Sequence, residues 1–410
     1  ELLPKIIAVF STTISIWQEP VRNSLASLQS AYQIGLEMGD LYYGTTCAYI
    51  YSFHSAFVGK ELTQLAAEIA AYDRAFSKLK QQNTLNYLKI YGQTVLNLMG
   101  CSQSPYRLLG ELYDEEVMLP LHQSANDRYA LCALYVNKLY LCCLFGEYHQ
   151  AVANANQAQE YLDGATATLL IPLFNFYDTL AHLGIYSSVS ICEQQQILLR
   201  VAARKTKMQE WADHAPMNYL HKFYLIQAEQ YRIQGCYLEA IDFYDRAIAE
   251  AREHKYINEE AFANELAAKF YLDWGKVKIA PVYLNEAHYL YSLWGATAKV
   301  EDLQTKYPQF LTVSAPATST TEKLRTTTSN TRSGEVLDLA TIIKASQAIS
   351  SEIVLDKLLT RLMKILIESA GAQIGCLILE TQGQLLIEAS GSVDSDNVTV
   401  VKSLPIRGCL

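Results

Sequence analysis

A pattern of small and aromatic residues recurs after forty positions in the second half of the chain. Gly235 and Ala240 are matched by Gly275 and Ala280, and a tyrosine precedes each glycine by four positions. A glycine readily ends a helix in the left-handed conformation, and an alanine lets two helices cross closely. The recurrence therefore predicts stacked helix pairs that cover each other's apolar faces. The matched positions are Tyr224, Ala228, Tyr231, Gly235, Tyr237, Ala240, Tyr244 and Ala247, followed by Asn264, Ala268, Tyr271, Gly275, Val277, Ala280, Leu284 and Ala287.

A less complete copy of the pattern begins at Gly146 and contains Ala151, Ala155 and Ala158. Further upstream the offsets no longer align, but apolar residues still recur at three- and four-residue steps, with breaks predicted at Gly59 and Gly100. We therefore expect helices throughout residues 1–311. The alternative is an irregular helical bundle in which the forty-residue period is coincidental.

The recurring offsets resemble those of the tetratricopeptide repeat, a helix-turn-helix unit that stacks into an α-solenoid. The resemblance implies that one face of each first helix lines a concave groove that binds a protein or peptide. In the two best copies this face supplies the candidate partner-binding residues Lys222, Glu229, Arg232, Glu265 and Lys269. The alternative for Glu265 and Lys269 is an ion pair along their own helix, because they stand four residues apart.

The composition changes after residue 311. Residues 312–335 are rich in serine and threonine and are predicted to be a linker. Apolar spacing then predicts two helices within 339–366, followed by strands at 374–379, 385–390 and 398–401. This order resembles the first half of a GAF domain, so we expect 336–410 to be the N-terminal part of a GAF-like sensor domain, truncated at Leu410. The predicted fold is mainly α: a tetratricopeptide-like α-solenoid followed by a truncated α/β domain.

Two further segments extend the resemblance to most of the chain. Trp17-Gln18-Glu19-Pro20 stands at the opening of the helices, and Trp294-Gly295-Ala296-Thr297-Ala298-Lys299-Val300 stands at their close. Together with the linker and the GAF-like start, they resemble the middle of the large hybrid kinases of cyanobacteria. In that family a Ser/Thr protein kinase domain and an ATPase module precede the helical region, and a sensor histidine kinase follows.

This resemblance implies a regulatory and protein-interaction segment of a cytoplasmic signalling kinase with a dimeric parent. The expected partners are proteins or peptides, the other domains of the same polypeptide among them. ATP and magnesium are then expected only in kinase modules outside these residues. Two alternatives stay open: a free-standing helical scaffold, and the arm of an ATP-driven transcriptional regulator.

Motifs for catalysis are missing from the sequence. It has no Gly-x4-Gly-Lys-Ser/Thr phosphate loop, no protein-kinase catalytic loop, no histidine phosphoacceptor box and no His-Glu-x2-His zinc site. We therefore predict no catalytic residue, cofactor or metal site in this segment. A formal net charge of -9 without a basic block argues against nucleic acid as a partner. No apolar run reaches the ~20 residues that cross a bilayer.

The histidines, the acidic groups and the cysteines are expected to have structural roles. The eight histidines are expected at surfaces or interfaces. The acidic groups Asp114-Glu115-Glu116 and Glu259-Glu260 are expected at solvated helix starts, where they favour the positive end of the helix dipole. The nine scattered cysteines show no metal-binding or disulfide spacing and are expected to be buried thiols in a reducing compartment.

Overall fold

The computed structural model describes residues 2–311 with their side chains and the backbone of residues 374–381, 384–392 and 404–405. The chain divides into two compact units, Glu1–Ala315 and Pro316–Leu410. Three predictions lie outside the described residues: the linker at 312–335, the helices within 339–366 and the strand at 398–401. Each unit is described by itself below.

Residues 2–311 are mainly helical, as the sequence predicts. Short 3-10 turns connect some of the helices, and Asp40, Glu61, Asp114, Asp127 and Ser190 cap helix N-termini with their side chains. The α-helices are α1 Leu3–Thr13, α2 Ser24–Met38, α3 Leu41–Phe57, α4 Leu62–Leu79, α5 Gln82–Leu98, α6 Glu115–Ser124, α7 Arg128–Phe145, α8 Tyr148–Gln159, α9 Leu170–Ile185, α10 Ile191–His214, α11 Pro216–Gln234, α12 Tyr237–Glu253, α13 Ile257–Asp273, α14 Ala280–Trp294 and α15 Thr297–Lys306.

The helices of this unit form two layers that differ in burial. The inner helices α3, α5, α7, α9, α11 and α13 are buried around much of their circumference; in α13, 13 of 17 residues are buried. The outer helices α2, α4, α8, α10, α12 and α14 bury one stripe; in α10, only 4 of 24 residues are buried. Each inner helix from α3 to α9 contacts the next inner helix. This alternation is the arrangement that stacked helix pairs require.

The helical array is closed, because its N-terminal part packs against α11–α13. Asn218 on α11 donates hydrogen bonds to the carbonyls of Ile16 and Glu19, at 3.0 and 2.7 Å, and accepts one from the amide of Val21. Arg22 donates to the carbonyls of Val58 and Lys255, each at 2.9 Å. One continuous apolar core consequently extends from Ala8 to Leu311.

The glycines and alanines that mark the repeat occupy the predicted environments. Gly235 and Gly275 follow α11 and α13 with φ of +73° and +76°, a backbone conformation that favours glycine. Ala240 and Ala280 are fully buried in α12 and α14. The predicted breaks at Gly59 and Gly100 are confirmed by φ values of +73° and +81°. The Trp17 segment does not open the helices, because α1 precedes it.

Several polar residues lie deeper than the sequence suggests. His54, His122, His182 and His221 are buried, so the expectation of surface histidines is wrong for these four. Glu259 and Glu260 are also buried, because they begin the inner helix α13 rather than a solvated one. Lys222 forms an ion pair with Glu259 and Arg252 with Glu260, and Nε2 of His221 lies 2.9 Å from the Glu259 carboxylate.

The described strands of the second unit form an antiparallel β-sheet. The strands β1 Ile374–Thr381, β2 Gln384–Ser392 and β3 Leu404–Pro405 pair in the order β1-β2-β3. Thr381 pairs with Gln384, so β1 and β2 form a tight hairpin at the predicted position. Glu388 is an extra residue in β2, because Leu377 pairs with Ala389 while Ile378 pairs with Ile387. The third strand described here is β3, later in the chain than the one predicted.

Candidate functional site

The five predicted groove residues lie on the inner helices α11 and α13. The side chains of Lys222, Glu229 and Glu265 are buried, with residue exposures of 0%, 5% and 0%. Arg232 and Lys269 are partly exposed and form ion pairs of 2.7 Å with Glu229 and Glu265, respectively. The helix ion pair considered for Glu265 and Lys269 is therefore present. The five side chains do not line an open groove, because three of them are buried. Partner binding by these residues stays a prediction.

Lys222 belongs to a buried charge cluster at the start of α13. Its ammonium group donates a hydrogen bond to Oε1 of Glu259, and Nε2 of His221 lies 2.9 Å from Oε2 of the same carboxylate. The rings of Phe57, Phe176 and Tyr256 surround the ammonium at 4.8 to 5.6 Å. Burial opposes ionisation of Glu259, but Lys222 and His221 outweigh it and lower the pKa of this carboxyl to about 2.

Glu265 is the centre of a second cluster in the same helix. Its Oε1 lies 2.7 Å from Nζ of Lys269 and 3.0 Å from Nζ of Lys299, and its Oε2 accepts a hydrogen bond of 2.8 Å from the hydroxyl of Tyr291. Burial opposes ionisation here too, but the two lysines and the tyrosine outweigh it and lower the pKa to about 2. Glu265 thus connects α13, α14 and α15 through three side chains.

Lys299 links this cluster to a helix that is distant in sequence. Its fully buried ammonium donates hydrogen bonds of 2.8 Å to the carbonyl of Leu144 and to Oδ2 of Asp302. Lys306 donates to the next carbonyl, that of Phe145, at 2.9 Å. Both lysines therefore satisfy carbonyls in the last turn of α7, where cations also favour the negative end of the helix dipole.

The segment Trp294–Val300, named here the closing segment, fixes α14 and α15 to the first half of the array. Trp294 is buried, and its Nε1 donates a hydrogen bond of 3.1 Å to the carbonyl of Lys60, between α3 and α4. Gly295 has φ +86°, and a Cβ there would lie 2.8 Å from Oε1 of Glu61. Ala296 is fully buried beside them. The residues of this segment are thus explained by closure of the helical array.

The space at the centre of the array is small. A cavity of about 50 Å³ lies between α3, α5, α7, α9 and α13, and Glu259 and Trp294 contribute to its wall. The remaining wall is mostly apolar and includes five aromatic side chains, Phe53, Phe57, Tyr91, Tyr140 and Tyr177. This volume holds a few water molecules and no peptide.

The described part of the chain offers little for covalent or metal chemistry. Burial raises the pKa of the Cys47, Cys132 and Cys142 thiols to about 12, which keeps them protonated. Cys101 and Cys192 are exposed, so the expectation of buried thiols is wrong for these two. In residues 2–311, no three His, Cys, Asp or Glu side chains form a potential metal site. None of the helices in that range is long and apolar enough to cross a membrane.

Sequence reasoning missed the residues that hold the array closed. In the sequence, Trp294 and Lys299 only contribute to the resemblance to hybrid kinases, and Glu259 is expected at a solvated helix start. One signal was available: Lys299 stands between Ala298 and Val300 in a largely apolar segment, where an unpaired lysine would be costly to bury. The partners Glu265 and Leu144 could not be read from that signal, since they lie 34 and 155 residues away.

Comparisons with known proteins give one partial similarity. A stretch of 61 residues is 39% identical to hybrid signal transduction histidine kinase G of Dictyostelium discoideum. The match covers 15% of this chain and 2% of the relative. No family model matches the chain. Part of the chain is therefore similar to a signalling histidine kinase, across a very small share of that protein's length.

Proposed function

We propose that this chain is a regulatory and protein-interaction segment of a multidomain signal-transduction kinase. The partial similarity to a hybrid histidine kinase is the observation that carries the proposal. The segment docks partners and passes a sensory signal to kinase modules outside these residues. In this proposal residues 1–311 are a tetratricopeptide-like scaffold, 336–410 begin a GAF-like sensor, and the whole protein is cytoplasmic.

The closed array supports a role in relaying signals between modules. Hydrogen bonds to backbone carbonyls connect α15 to α7 and α14 to the α3–α4 turn, so in this proposal a movement of the last helices is coupled to the middle of the unit. Arg232 and Lys269 are the predicted groove residues that stay partly exposed. We include these two in the proposed partner surface, with Glu229 and Glu265 as their buried ion-pair partners, whereas Lys222 pairs with Glu259 instead.

Two measurements test the proposal. The coding sequence on both sides of this segment is determined first: a histidine phosphoacceptor box with an ATP-binding domain supports it, whereas a DNA-binding helix pair favours the transcriptional regulator. The complete protein is then incubated with labelled ATP and magnesium, with and without Trp294→Ala. We expect histidine phosphorylation to change in the variant. Unchanged phosphorylation in a variant whose kinase modules remain folded would contradict a relay through the helical array.

The segment alone provides the complementary test. Because its sequence has no phosphate loop or kinase motif, the 410-residue chain with labelled ATP and magnesium should retain no covalent phosphate. Stoichiometric labelling would show a catalytic centre that the sequence does not reveal, and it would overturn the assignment of catalysis to other modules.

A further inference from the structure

A groove on the outer surface combines cations, aromatic rings and an unsatisfied amide. It lies between α9 and α10, close to the end of α8, and has a volume of about 340 Å³. Arg200, Arg204, Lys207 and Trp211 follow one another along α10 at steps of four, three and four residues, so they share a helix face. Three cations line the groove, although the chain has a net charge of -9, and Lys207 is paired with Glu210 at 2.6 Å.

The two arginines are held in position by a buried carboxylate. Arg200 binds Asp178 through Nε and Nη2, at 2.9 and 2.7 Å, and Arg204 binds it through Nε at 3.1 Å. Nη2 of Arg204 also donates to Oε1 of Gln159, at 2.6 Å. Asp178 balances only one of the two guanidinium charges. Each guanidinium has five N–H donors, so these contacts leave donors for an anion.

Two aromatic rings flank these cations. The guanidinium carbon of Arg204 lies 4.8 Å from the centre of the Phe174 ring, and Nζ of Lys207 lies 5.8 Å from the centre of the Trp211 ring. A guanidinium stacked on a ring loses little conformational entropy when it binds a phosphate or carboxylate. Trp211 is partly exposed and offers flat apolar surface to the body of a ligand, whereas Phe174 is buried beneath Arg204.

Asn175 is the independent sign that a ligand belongs in the groove. This residue lines the groove, is 2% exposed, and its Oδ1 has no hydrogen-bond partner among the described residues. A buried carbonyl oxygen without a donor is costly. Oδ1 is itself inaccessible to solvent, so a ligand hydroxyl or amino group would satisfy it once the Asn175 amide rotates toward the groove. The groove therefore offers binding partners for an anion, a hydrogen-bond donor and a flat ring, which one small molecule can combine.

We propose that the groove between α9 and α10 binds a small organic anion of the nucleoside monophosphate class. The anionic group binds Arg200 and Arg204, a hydroxyl donates to Asn175, and the ring lies against Trp211. The volume is within the usual range for small-molecule sites. A hydroxylated aromatic carboxylate has the same three features, and the experiment distinguishes the two sources. Binding here does not depend on the proposed kinase role.

The test is calorimetric titration of the 410-residue chain with AMP, adenosine, inorganic phosphate and 4-hydroxyphenylacetate. We expect AMP to bind, with affinity that falls as salt rises. Adenosine lacks the anionic group and inorganic phosphate lacks the ring, so each should bind with a Kd at least about tenfold higher. Tighter binding of 4-hydroxyphenylacetate than of AMP would reject the nucleoside monophosphate class in favour of an aromatic carboxylate. Absence of binding by all four probes at millimolar concentration, or equal binding of AMP and adenosine, would overturn the proposal.

Variants separate binding from folding. Arg204→Gln leaves Asp178 held by Arg200, and Asn175→Ala removes an amide whose oxygen is unpaired, so both should fold as the parent does, as judged by circular dichroism. Both should weaken binding by about tenfold or more. Lys205→Gln is the matched control, because Lys205 on the same helix bonds Gln227 and Gln230 on α11 instead. Folded variants that bind as tightly as the parent would refute the assigned site.

Discussion

Lys299 and Glu265 form an ion pair inside the molecule, with 3.0 Å between Nζ and Oε1 and both side chains fully buried. The same ammonium group donates to the carbonyl of Leu144, 155 residues earlier in the chain. A buried charge is tolerated only when it is paired and hydrogen-bonded. The pair therefore makes closure of the array a condition for burying these charges, since an open array would separate Lys299 from α7.

Loss of this lysine should destabilise the first unit strongly. Lys299→Met keeps most of the side-chain volume but removes the charge from Glu265 and the donor from α7. Breaking a buried pair by removing one partner typically costs about 3–5 kcal/mol. Urea unfolding followed by circular dichroism measures the change in the free energy of unfolding.

An exposed ion pair provides the control for Lys299. Arg246 and Asp242 are 2.8 Å apart on α12, and about half of each side chain is exposed. Arg246→Met should cost about 0–1 kcal/mol. The double variant Lys299→Met with Glu265→Met should be less destabilised than the sum of the single changes, because the charges are coupled. Equal costs for Lys299→Met and Arg246→Met would show that the buried pair does not stabilise closure.

Trp294 should contribute through its indole N–H as well as through its ring. Trp294→Phe leaves the Lys60 carbonyl without its donor and reduces buried apolar area, and each effect costs about 1–3 kcal/mol. The matched control is Trp274→Phe, since Trp274 is only half-buried, and it should cost less. Chemical denaturation measures the free energy of unfolding of both variants. If Trp274→Phe loses as much stability as Trp294→Phe, the hydrogen bond to Lys60 does not contribute measurably.

Local pattern was sufficient to predict the helices and many of their ends. Gly235 and Gly275 could be placed because a left-handed helix end needs a residue without Cβ, a property of the residue itself. Ala240 and Ala280 could be placed because small residues recur where helices cross. The hairpin of β1 and β2 was likewise predictable, since two apolar runs flank a short polar turn.

Long-range pairing could not be predicted in the same way. Charged residues are rarely buried unless they are paired, so the sequence predicts Lys222, Glu229 and Glu265 on an open face. Their burial depends on partners from other helices, such as Glu259 for Lys222 and Lys299 for Glu265, 37 and 34 residues away. The resemblance supplied an open groove, and only the three-dimensional contacts reveal a closed array.

Acid should destabilise the array from about pH 6.5 downward, because of buried histidines. Burial lowers the pKa of His54 to about 3, and burial together with Lys222 lowers that of His221 to about 4. In the unfolded chain a histidine has a pKa of about 6.5. Protons therefore bind the unfolded state preferentially below pH 6.5, and each histidine reduces stability by about 1.4 kcal/mol per pH unit until its folded pKa is reached.

A variant identifies the histidine contribution. His54→Asn removes one titrating group while retaining a side chain that can donate to Ser24, whose hydroxyl lies 2.8 Å from Nδ1 and itself donates to the carbonyl of Val21. Between pH 6.5 and 5, the free energy of unfolding should fall less steeply in the variant than in the parent. Glu259 and Glu265 do not affect this range, because the stability that their lowered pKa provides is lost only below the unfolded value of about 4.3. Identical slopes would rule out titration of His54 as a cause.

The repeat itself is tested by three matched substitutions of alanine by leucine. Ala240 and Ala280 are fully buried in the outer helices α12 and α14, so Ala240→Leu and Ala280→Leu should each cost about 1–3 kcal/mol by overpacking. Ala249 is exposed on α12, and Ala249→Leu should change stability little. Leucine has nearly the helix propensity of alanine, so propensity cannot produce the difference. Urea midpoints followed by circular dichroism compare all three, and equally mild effects would mean that the forty-residue period does not mark close helix crossings.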